Sequence, residues 1–192
     1  MSSETSKLEI ANQALAHLGQ EPLLTYTDES SNGNAIRTFY NTARIALLEE
    51  GNWSFATERV SLAPASPVPE FGYTNKFLLP ADFLNVDELL DSGNSPIKNY
   101  KIERGHLLAD KTEIRLVYVS KDVSEGDFSG KFAELLAFKL ASLSAYRILK
   151  SVTEAKQRVE LFETQLFATL SNDDSGDSEN KVVNSPTWTE EV

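Results

Sequence analysis

The sequence predicts an α+β fold, mainly α: a bundle of about four helices, a small antiparallel β-sheet inserted between the helix pairs, and a flexible C-terminal arm. Three observations predict it. Apolar residues recur at helical spacing in two segments before residue 51 and in two segments after residue 130. From Trp53 to Val119, Pro64, Pro67, Pro69 and Pro80 interrupt any helix, and short alternating runs take over. From Ser171 onward, SNDDSGDSENKVVNSPTWTEEV is polar and acidic with almost no helix or strand period. Residues 1–170 are thus expected to form one domain and 171–192 an arm. A length of 192 residues fits one domain with an appendage, or at most two small domains. With 41% hydrophobic and 24% charged residues, the composition supplies an ordinary core.

The first helix is expected over about 6–18, where Leu8, Ala11, Ala14, Leu15 and Leu18 share a stripe. Gly19 and Pro22 follow as stop signals. After the turn-rich linker TYTDESSNGN, a second helix is expected over about 34–50, burying Ile36, Phe39, Tyr40, Ala43 and Leu47 and closed by Gly51. Trp53 and Phe55 directly after that stop read as a plug between helices and sheet. Residues 63–75 read as an exposed Pro-rich loop, and Leu79-Pro80-Ala81-Asp82-Phe83 as a turn into a strand around Leu84 and Val86, with Asp82 available to backbone donors. Tyr100 to Leu108 reads as a hairpin turning at Arg104-Gly105, flanked by Ile102 and Leu107. In EIRLVYV, Ile114, Leu116 and Tyr118 face one way while Arg115, Val117 and Val119 face the other. Helices return over about 130–150 and 152–170. Phe132, Leu135, Leu136, Lys139, Leu140, Leu143 and Arg147 line a face of the first, and alanines 137, 141 and 145 permit close approach. Ser151 and Glu154 have capping-box spacing before the second, which continues through Ala155, Val159, Phe162, Leu166 and Leu170.

The charge narrows function. Asp and Glu number 29 against 18 Lys and Arg, a formal net charge of −11. Tight nucleic-acid binding needs a basic patch for the phosphates, and no Lys/Arg run is present. An acidic wall still suits a channel through which DNA slides without sticking. Lacking Cys, the chain has no disulfide framework, thiolate metal site or Cys nucleophile. MSSETSKLEI lacks the basic-then-apolar order of a secretory signal, and no stretch approaches the roughly 20 apolar residues of a membrane span.

Catalytic signatures are missing: no phosphate-binding Gly-rich loop, no H-E-x-x-H and no G-x-S-x-G. His17 and His106 are the only histidines, and His17 reads as a helix-face residue. Carboxylate pairs are the remaining enzymatic option, since glycan hydrolysis needs two flanking the bond. Glu49 and Glu50 diverge around a helix end, while Asp87, Glu88 and Asp91 lie near the sheet; in so acidic a chain both groups read first as solvated faces. In the arm, Val182, Val183 and Trp188 are poor choices for a solubilising tail. They suit an arm that folds onto a partner, the plainer alternative being a frayed end with a chance Trp.

The chain resembles the tail tubular protein A, or head-to-tail adaptor, family of short-tailed bacteriophages. The likeness begins with Asn12-Gln13-Ala14-Leu15, Leu18-Gly19 and Glu21-Pro22, and continues through Tyr40 and Arg44. Trp53-Ser54-Phe55-Ala56 is similar to the family's W-x-F-A, followed by Phe71-Gly72-Tyr73 and Leu79-Pro80-Ala81-Asp82-Phe83. Leu107-Leu108-Ala109-Asp110, Val117-Tyr118-Val119, Phe132-Ala133-Glu134, Leu140-Ala141 and Ala145-Tyr146 complete it. The likeness spans about residues 8–170; the arm lies beyond it. Each piece is weak alone, and their order and spacing carry the specificity.

The resemblance implies a homo-oligomeric ring of about twelve copies in the virion, assembled in host cytoplasm. It would bind the portal above and the tail nozzle below and pass genomic DNA without sequence-specific binding, with no membrane, cofactor, metal or catalytic residue. Helices would pack between subunits and near the portal, and the loop with Pro67, Pro69, Phe71 and Tyr73 would face the nozzle. The inverted orientation fits the sequence almost as well. Val182, Val183 and Trp188 would clamp a neighbour or the portal. The rival readings are a virion-associated cell-wall glycan hydrolase using carboxylates such as Glu49 or Asp87, and another virion interaction protein such as a stopper or assembly chaperone.

Overall fold

The structure, a computed structural model, describes residues 3–173. Its order is α1 (Ser3–His17), α2 (Ser31–Glu49), six strands, then α3 (Gly130–Leu149) and α4 (Val152–Asp173). The fold is α+β, with four helices around a β-rich insertion. The first three residues assigned to the arm belong instead to α4, and the rest of the arm, with Val182, Val183 and Trp188, lies outside the described residues.

Chain punctuation sets the helix ends. At the end of α1, Gly19 adopts φ +66° while its amide donates to Ala16 and that of Gln20 to Leu15, capping the last carbonyls. The linker then returns to the helix because Asn12 accepts from the Leu23 amide at 2.7 Å and donates to the Leu23 carbonyl at 3.1 Å. Helix α2 begins at Ser31, three residues before the expected Asn34, because Ser30 Oγ accepts from the Gly33 amide at 3.1 Å. A Cβ on Gly33 would lie 2.4 Å from the Asp28 carbonyl oxygen, so only glycine lets that turn close. Gly51 does not end α2 in the left-handed way expected; the capping residue is Glu50, in right-handed helical conformation. Trp53 does part of that task, its indole N–H donating to the Leu47 carbonyl at 3.0 Å. Ser129 caps α3 and Ser151 caps α4 through the Glu154 amide at 3.3 Å.

The expected single sheet is two. Strands β1 (Thr57–Leu62), β6 (Ile114–Ser120) and β3 (Phe83–Asp91) form one, in the order β1-β6-β3; β2 (Asn75–Leu78), β5 (His106–Ala109) and β4 (Tyr100–Glu103) form the other, in the order β2-β5-β4. All pairings are antiparallel. The hairpin β4–β5 turns at Arg104 (φ +48°) and Gly105 (φ +75°), the two left-handed residues of a tight hairpin turn. Facing side chains of the sheets, including Phe77, Leu89, Leu107, Ile114, Leu116 and Tyr118, build a core of their own. Val119, on the opposite face of β6, enters the helical core.

Helix α3 organises that helical core. It packs against α1, α2 and α4 together, so it is buried on more than the one face expected. Ala137, Ala141 and Ala145 are fully or almost fully covered, which lets backbones approach. Trp53, Phe55, Phe128 and Phe132 form an aromatic cluster with centroid separations of 4.7 to 6.1 Å, joining the bundle to the start of β1. Arg44 donates to the Lys121 and Val123 carbonyls, both at 2.7 Å, tying α2 to the segment leaving β6.

Candidate partner-binding surfaces

The loop between β1 and β2 is fixed at its ends and projects in its middle. The Ala65 amide donates to Lys76 at 2.7 Å, and the Thr74 amide to the Asp110 carboxylate at 2.8 Å. Between these anchors the loop stands over the outer face of the β2-β5-β4 sheet and borders a cleft of about 630 Å³. Pro69, Phe71 and Tyr73 line it, as does Leu108; Pro67 lies in the same loop outside the cleft. Phe71 is 88% exposed, an aromatic side chain held in water by a tethered loop. The Tyr73 hydroxyl donates to Asn99 at 3.2 Å, which steadies the ring.

The opposite wall carries charge. Lys76, Lys101 and Arg104 line the cleft together with Glu70, Glu103 and His106. In a chain of net charge −11 this is a locally basic spot. Lys101 and Glu103 pair at 2.6 Å, and that hydrogen bond, followed by the Glu103 charge, raises the Lys101 pKa. Both ends are exposed, so the pair adds little to stability. The cleft offers an aromatic edge and several cations, chemistry that suits an acidic protein surface.

A second surface lies where α3 meets α4. Tyr146 (62% exposed), Val152 (58%) and Val159 (41%) line a shallow groove of about 390 Å³ with Ala155, Lys156 and Glu160. It shares no residue with the cleft. Sequence reading placed Val159 on the buried stripe of α4, yet Phe162 is the stripe's one fully covered large residue among those named. The signal was present: with α3 as its only extensive partner among the described residues, α4 has more apolar positions than one neighbour covers. The basic wall of the cleft was missed because the pairing of β2 with β5, which sets Lys76 and Lys101 on either side of Leu108, is long-range.

The residues considered for chemistry have other occupations. His17 stacks on Phe138 at 4.0 Å, and burial, then Arg158, lowers its pKa against the opposing pull of Glu134. Asp87 accepts from Asn52 at 2.6 Å. Asp91 accepts from the Gly93 and Ser95 amides and from Lys111, and the Ser95 and Lys111 bonds hold its carboxyl below the ordinary range. Asp82 meets side-chain donors, the hydroxyls of Ser120 at 2.5 Å and Tyr118 at 3.2 Å, together with its own backbone amide. Burial pushes the Asp82 carboxyl up, and these hydrogen bonds outweigh it. Downward shifts suit acceptors that fix turns; a glycosidase proton donor needs the opposite shift. Glu49, Glu50 and Glu88 are exposed.

Among the described residues, no group of three or more His, Cys, Asp or Glu is placed to hold a metal ion, and no helix is long and apolar enough to cross a membrane. No family model matches the chain, and a search of curated proteins finds no significant match.

Proposed function

We propose that the chain is a head-to-tail adaptor of a short-tailed bacteriophage, a structural virion protein that forms a ring between the capsid portal and the tail nozzle and extends the DNA channel. One observation carries the reading: the fold exposes two dissimilar surfaces, an aromatic and basic cleft on the β-insertion and an apolar groove on the α3–α4 edge. A closed ring between two other rings needs unlike faces, because each subunit meets its neighbour heterologously and meets different partners at its two ends. The helical edge then packs between subunits and toward the portal, and the loop bearing Pro67, Pro69, Phe71 and Tyr73 meets the nozzle. The acidic balance of the chain supports a wall that genomic DNA passes without adhering. The role works by geometry and uses no cofactor.

The test is quantitative mass spectrometry of purified virions. The expected result is a copy number equal to that of the portal protein, about twelve by resemblance to the family. Absence from mature particles would contradict the reading and leave an assembly chaperone in its place.

A further inference from the structure

From the α3–α4 groove and the chain that follows α4, we infer that the protein covers this groove with its own C-terminal segment, residues 181–191. Val182 and Val183 rest against Phe167, and Trp188 sits among Tyr146, Val152 and Val159. The inference stands apart from the adaptor role, since it concerns the isolated chain.

The groove presents apolar side chains with 41 to 62% of their surface in water, and Phe167, 76% exposed, lies eight residues after Val159 on the same flank of α4. These residues draw a line along α4 from the groove toward Asp173. The chain beyond Asp173 carries its large apolar residues at 182, 183 and 188. Their spacing matches that line. From Phe167 to Lys156 at the groove is about 17 Å along the helix axis. Five or six extended residues, from Val182 or Val183 to Trp188, cover about 17 to 20 Å. Pro186 biases Ser185 toward extended backbone within that stretch.

Charge fixes the direction. A segment returning antiparallel to α4 places Lys181 on the Asp173 side of Phe167. It places Glu190 and Glu191 near Lys156 in the groove and near Arg147 and Lys150, which follow Tyr146 in the chain. Glu160 is the acidic member of the groove, and a parallel path would carry the segment's acidic end past Phe167 toward Asp173 instead. The tether selects the chain's own segment over that of a second copy. Trp188 lies fifteen residues after Asp173, giving a reach of about 50 Å and a root-mean-square span of about 21 Å. The groove centre lies about 27 Å back along α4. A tether of that length supplies an effective concentration of about a millimolar, above any second copy at micromolar protein.

The full chain labelled with 5-fluorotryptophan gives two fluorine resonances, Trp53 and Trp188, assigned with Trp188→Phe. The Trp188 resonance is expected away from that of the free peptide 180–192, and to move to the peptide position in Val159→Lys and in Val152→Lys. Trp53, buried in the bundle, reports that each variant stays folded. A Trp188 resonance at the peptide position in the unmodified chain would overturn the inference. So would one indifferent to both lysine variants, which would place Trp188 elsewhere. A displaced resonance that returns to the peptide position on dilution, as a sedimenting dimer dissociates, would overturn it in favour of a second copy.

Discussion

Asn12 commits its whole carboxamide to the backbone of Leu23, one bond in each direction. Replacing it with alanine leaves a partly buried amide and carbonyl without that partner, which costs about 1–3 kcal/mol. Asn12→Ala should therefore lower the urea midpoint without changing the slope of the transition; an unchanged midpoint would show that water replaces the side chain at no cost. Asp82 makes a pH-dependent contribution of the same local kind. Its folded pKa lies below the ordinary 3.8, while burial and then the Asp82 charge push the Tyr118 phenol up to about 12, so Tyr118 remains a donor. A depressed carboxyl pKa means that the unfolded chain binds the proton more readily. Its stabilisation is present above about pH 4 and is lost as pH falls through the folded value. Asp82→Asn should be less stable than the parent at neutral pH, and the gap should close on acidification below about pH 4. Parallel stability curves would rule out this role. The sequence marked Asp82 as a hydrogen-bonding turn residue. Its partners could not be read, since Tyr118 and Ser120 lie on a strand reached only through long-range pairing.

Helix α3 shows where periodicity succeeds and where it stops. The positions of all four helices, the hairpin turn at Arg104-Gly105 and the Ser151 cap were legible because their signals are local: stripe, stop residue and cap. The start of α2 was misplaced because its capping Ser30 lies inside a polar stretch that looks like a linker. The division into two sheets was hidden because β1 pairs with β6 across the whole insertion, joining Thr57 to Val119. A helix packed on three sides also defeats a search for one apolar face, so the small residues of α3 carry the information. Ala141, 1% exposed between neighbouring helices, has no room for a longer side chain. Ala141→Leu should cost about 1–3 kcal/mol by overpacking, read as a lower denaturation midpoint. A neutral result would mean that the bundle has slack along α3.

At the scale of the molecule, two cores sit side by side: a helical one around α3 and a β one between the sheets, joined by the Trp53–Phe132 aromatic cluster and by β6. Each lobe carries one exposed surface, and the two differ in chemistry. Half of this was legible. The Pro-rich loop announced itself through Pro67, Pro69, Phe71 and Tyr73, whereas Lys76, Lys101 and Arg104 join it only once the sheet is paired. The groove of Tyr146, Val152 and Val159 looked like core until the bundle showed that α4 has no partner on that flank among the described residues. In the proposed adaptor role, the chain docks on the portal ring before it receives the nozzle. The most direct measurement is therefore negative-stain electron microscopy of the purified chain mixed with the portal of the same phage. The account predicts an added ring of density on the tail side of the portal; bare portals at micromolar concentrations of the chain would contradict it.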